Sequence, residues 1–182
     1  NSTLLNMETW HNIKDSDLND LKKLDQYLLR KIIGAHSKVP VEFLYLETST
    51  TPLNFILKSR MINYLHTILG RSDLELTRKI YNAQKQDPIK GDWVTLVKED
   101  LELVNIHLSD KEISETKKSQ FKNLVRNHVK KATLNNLKDM QSGHIKISAI
   151  KYDSVKIQPY LVSETLNSEQ TALLFNMRAN TV

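Results

Sequence analysis

Eight residues punctuate this chain: four glycines, Gly34, Gly70, Gly91 and Gly143, and four prolines, Pro40, Pro52, Pro88 and Pro159. These two residue types most readily stop or start a helix, so their scarcity over 182 residues leaves long stretches free to coil. Between the breaks, Leu18, Leu21, Leu24, Leu28 and Ile32 step by three and four, one stripe of an amphipathic helix. Asp15 or Ser16 can cap its start, Gly34 can end it, and Asp17, Asp20, Arg30 and Lys31 suit the helix dipole. Pro40 predicts a short helix, "PVEFLYLET", as its first residue. Pro52 predicts a longer one, "PLNFILKSRMINYLHTIL", closed by Gly70. Leu53, Ile56, Leu57, Tyr64, Leu65 and Ile68 give that helix an apolar set wide enough to lie deep.

Ser72 with Glu75, and Ser109 with Glu112, read as capping boxes. After the turn "PIKGDW", Asp92 caps "WVTLVKEDLELV". The helix begun at Ser109 reaches toward Gly143, with a break at residues 114–116 and a buried face of Phe121, Leu124, Val125, Val129, Ala132 and Leu137. Residues 144–161 alternate loosely and carry β-branched side chains, an extended segment or a short strand. Asn167 or Ser168 caps a last helix, "EQTALLFNMRAN". The expected fold is all-α, an irregular bundle of about seven helices. A compact chain of this length buries roughly 70% of its unfolded surface and needs no staples.

Charge is distributed unevenly. Residues 1–116 carry 15 Lys and Arg against 17 acids, whereas 117–156 carry ten against two. Within "KKSQFKNLVRNHVKK", Lys117, Lys118, Lys122, Arg126, Lys130 and Lys131 meet no acid, and the next acid is Asp139. Lys118, Lys122, Arg126 and Lys130 recur every four residues, so a helix stacks them along one face at a cost of a few tenths of a kcal/mol per like-charged pair. A face kept merely for solubility usually mixes signs. Concentrated positive charge is the footprint of a polyanion, nucleic acid before membrane. Lys58 and Arg60 in "ILKSR" lie beside a buried stripe, either as a phosphate clamp or as side chains snorkelling to water.

Several chemistries are excluded. With no cysteine there is no disulfide, thiolate metal site or catalytic thiol. The six histidines are scattered without zinc-protease spacing, and no phosphate-cradling or nucleophile-elbow glycine motif occurs. No catalytic residue, metal ligand or cofactor site is assigned. No apolar run of ~18 residues spans a membrane, and the first residues show no apolar signal region.

The run "DQYLLRKIIGAHSKVPVEFLYLET" and then "PLNFILKSRMINYL" resembles the region after the polymerase core of non-LTR (LINE-type) retrotransposon reverse transcriptases. "YNAQKQDPIKGDW", "VKEDL", "IKYDSVKIQPYL" and "LLFNMRANTV" extend the resemblance, in order, over nearly the whole chain. It implies a thumb-like helix and lead-in at 1–36, a helical linker bundle at 37–143, and an extended segment with a C-terminal helix at 144–182. It further implies a non-catalytic part of an RNA-directed DNA polymerase, with the palm upstream and a zinc knuckle downstream. The partner is then an RNA or DNA backbone, within a nuclear and cytoplasmic ribonucleoprotein that is not secreted. Arg30 and Lys31 match the basic end of the thumb helix, and Lys58 and Arg60 match a "KSRR"-like motif whose last arginine is Met61 here. Arg178 remains in a closing "LRSRTV"-like motif whose other arginine is Asn180, and Ser49 stands where many relatives have Gly. The alternative is a helical protein-interaction scaffold, or a domesticated remnant without a nucleic-acid role.

Overall fold

The computed structural model describes residues 15–144, 150–152 and 156–179. Among them the chain is all-α, with eight helices and no strand. The helices are α1 (Asp15–Ile33), α2 (Val41–Thr48), α3 (Leu53–Leu69), α4 (Leu76–Gln86), α5 (Trp93–Leu103), α6 (Asp110–Glu115), α7 (Lys118–Ser142) and α8 (Ser168–Arg178), with one 3-10 turn at Pro159–Val162.

Two compact units form. Of the described residues, one unit takes 54–132 and the other takes 15–53 with 133–179. α7 carries two buried faces in succession. Phe121, Val125 and Val129 enter the first core, and Thr133, Leu137 and Gln141 are buried further along. The first unit's core joins Ile62 and Leu65 of α3, Val94 and Val97 of α5, Ile113 of α6 and the α7 residues. The second unit's core surrounds α2, whose residues from Glu42 to Glu47 are all buried. A short helix apolar on nearly every side can only be stable at a centre. Its Phe43 packs on Phe175 of α8, ring centroids 5.2 Å apart.

Local signals act where the sequence places them. Asp92 accepts from the Thr95 amide at 2.7 Å, and Ser109 with Glu112, like Asn167 with Gln170, closes a complete capping box. The expected break at 114–116 occurs: α6 ends at Glu115, and Thr116 is extended. Gly34 ends α1 at φ +71°, and a Cβ there would lie 2.8 Å from that of Ala172, so two separate constraints require glycine.

Three expectations need correction. Pro40 precedes α2 as its N-cap rather than serving as its first turn. Ser72 and Glu75 form no capping box: the Ser72 hydroxyl accepts from the Leu74 amide, and α4 starts only after Glu75. A bond to the second residue on makes a local turn that competes with the cap. The α1 stripe is only partly buried. Leu24, Leu28 and Ile32 are 51%, 50% and 81% exposed, while Leu29 and Ile33 pack on the second core. Within 144–161, residues 150–152 and 156–158 hold no regular structure before the 3-10 turn, and 145–149 and 153–155 lie outside the described residues. Residues 1–14, with the thumb lead-in, and 180–182, with Asn180, also lie outside them.

Candidate nucleic-acid interface

α7 runs for 25 residues without a Gly or Pro to interrupt it. Its rotation in the first unit is fixed from the buried side. Phe121 stacks on His66 with centroids 5.1 Å apart, and His66 Nε2 lies 2.8 Å from the Thr116 carbonyl. Two turns further on, His128 Nδ1 is 3.0 Å from the carbonyl of Val104. These contacts turn the opposite side of the helix outward.

Lys117, Lys118, Lys122, Arg126, Lys130 and Lys131 are all exposed. Among the described residues none of their side chains makes an ion pair, hydrogen bond or ring contact. Cations that are paired stand on other elements, as Lys85 does with Asp110, Arg78 with Asp73 and Lys111 with Glu115. From Lys118 to Lys130 the row climbs about 18 Å, at 1.5 Å per residue. An unpaired row of that length offers a phosphate chain several charge-assisted contacts in series.

The other four candidates are placed differently. Lys58 pairs with the carboxylate of Asp100, whose side chain is 6% exposed. Burial pushes that carboxyl above its usual range, and Lys58 works against the rise. Lys58 is therefore a counter-ion for an acid of its own unit. Arg60 is half-buried and already engaged with a neighbouring group. In the second unit, Arg30 donates to the carbonyls of His36 at 3.1 Å and Val39 at 2.7 Å, tying down the α1–α2 connection. Burial pulls its guanidinium below the usual value, with Glu42 and Tyr45 opposing. Lys31 is exposed, its ammonium 5.6 Å from the centre of the Tyr27 ring. Of the ten candidates, α7 with the residue just before it thus brings six together as one open surface, and three of the rest are committed to the protein.

Arg178 of the closing motif is also committed. It grips Glu47 with two bonds of 3.0 and 2.8 Å, and the hydroxyls of Tyr152 and Tyr160 donate to the same carboxylate. Sequence reasoning missed this cluster because Glu47 lies 105 to 131 residues from its partners. The local signal is a pair of acids, Glu42 and Glu47, in a short helix that is otherwise largely apolar. Ser49 adopts φ +57°, the left-handed region, which explains why glycine suits the position.

Among the described residues no three His, Asp or Glu side chains converge as a metal site, and no helix is long and apolar enough to cross a membrane. No family model, curated protein or solved structure matches the chain.

Proposed function

We propose that this chain is a non-catalytic helical part of a retrotransposon RNA-directed DNA polymerase, holding template–primer or element RNA by its phosphate backbone through α7. One observation carries the reading: six cations at one helix stand exposed and have no partner among the described residues, with no acid between them in sequence. Such contacts position a nucleic acid without reading its sequence. They serve the chemistry of the palm by placing primer and template, work that lowers a barrier without touching the reacting atoms. On this reading the chain acts inside a ribonucleoprotein of nucleus and cytoplasm, between a palm and a zinc knuckle.

The test is binding of the whole chain to labelled duplex, single strand and hairpin RNA. Lys122→Gln, Arg126→Gln and Lys130→Gln together should weaken all three alike while leaving the thermal midpoint in place. Undiminished affinity in the triple variant removes α7 from the account.

A second reading, a helical protein-interaction scaffold, is favoured by one feature. Leu24, Tyr27, Leu28 and Ile32 of α1 are each at least half exposed, an apolar stripe that the described residues leave open. Leu28→Glu should then abolish a protein contact and leave nucleic-acid binding intact.

A further inference from the structure

The outward side of α7 is more than a row of cations. At 100° per residue, the exposed residues from Lys118 to Lys131 sweep about 220° of the helix. More than half of the circumference is therefore open, as a helix entering a groove requires. Lys122, Arg126 and Lys130 lie along one side of this arc, and Lys131 with Gln120 lies near the other edge. Between them, one turn apart, stand Asn123 and Asn127. Both are exposed, and neither carboxamide has a hydrogen-bond partner among the described residues.

We infer that α7 reads base edges in the major groove of B-form duplex DNA, with Asn123 and Asn127 at adenines and the flanking cations on the phosphates of both strands. This rests on the reading of α7 as a phosphate-binding face, and departs from that reading in giving it a DNA duplex whose sequence it reads in place of template–primer or element RNA. A carboxamide offers a donor and an acceptor side by side, the complement of adenine N7 and N6. The B-form major groove is about 12 Å wide and admits a helix, whereas that of A-form RNA is too narrow for side chains to read. Single strands are held on aromatic platforms. This face has none, because its Phe121 is buried and its His128 is bonded to Val104. Asn123 and Asn127 are separated by about 6 Å along the axis, close to two base-pair steps of about 3.4 Å, so the preferred site holds adenines about two base pairs apart.

The experiment selects duplexes bound by the whole chain from a random B-form DNA pool, then compares the winners with unselected duplex, the same sequence as RNA duplex, and single strand. Enrichment of adenines at that spacing is expected. Selected DNA should be bound about a hundredfold better than unselected duplex, since each of two good bidentate pairs discriminates by about tenfold. Asn123→Ala with Asn127→Ala should erase the preference while keeping the salt dependence and the affinity for unselected duplex. Equal affinity for every duplex, or tighter binding of RNA or single strand, overturns this inference and leaves backbone binding standing. No binding to any nucleic acid at low salt ends both.

Discussion

Among the acids of the second unit, Glu47 is fully buried and still holds Arg178, Tyr152 and Tyr160. Removing one partner of such a pair strands the other in a poor solvent. Arg178 keeps 40% of its side chain exposed and Glu47 retains both tyrosine hydroxyls, so Arg178→Met should cost about 2 kcal/mol, and Tyr160→Phe about 1 kcal/mol, by urea unfolding. Lys58→Ala strands Asp100 in the same way, but Lys58 keeps 31% of its side chain exposed. About 2 kcal/mol is expected there, below the roughly 3–5 typical of a fully buried pair. Asp110 supplies a pH dependence. Burial pushes its carboxyl up, but Lys85 and Tyr81 outweigh burial and hold it below the usual range. A lowered carboxylate stabilises above its unfolded value, about 3.9, and that share is lost as pH falls through the folded value. Asp110→Asn should accordingly be less stable than the parent at pH 7. The gap should narrow as an acid titration passes below about pH 4.

The helices show which signals travel in sequence. A cap acts within four residues, so the Ser109 and Asn167 caps can be read from neighbouring residues alone. Ser109→Ala and Asn167→Ala should each cost about 1 kcal/mol. Ser72→Ala should cost distinctly less, because its hydroxyl closes a turn and caps no helix. Burial is less legible. Periodicity announces an apolar arc on α1, but neighbours decide which edge they cover. They cover Leu29 and Ile33 and leave Leu28 and Ile32 open. The same limit applies to the candidate site. The cations of α7 are legible because their isolation from acids is a property of the local sequence. The role of Lys58 is not, because Asp100, its counter-ion, lies 42 residues away.

Each of the two units has its own apolar core, and the α7 cations belong to the unit of residues 54–132. Phe175→Ala, in the other core, should lower stability by about 3–5 kcal/mol and leave nucleic-acid affinity unchanged in protein that is still folded. The division is hidden from the sequence because α7 looks like one amphipathic helix while serving two cores in turn. Six exposed cations without a partner among the described residues should make nucleic-acid binding steeply dependent on salt. Each phosphate neutralised on a duplex contributes about −0.9 to the slope of log affinity against log salt. With all six engaged, the parent chain should show a slope of about −5, and the Lys122→Gln, Arg126→Gln, Lys130→Gln variant roughly half of that. Identical slopes in the two proteins contradict the account.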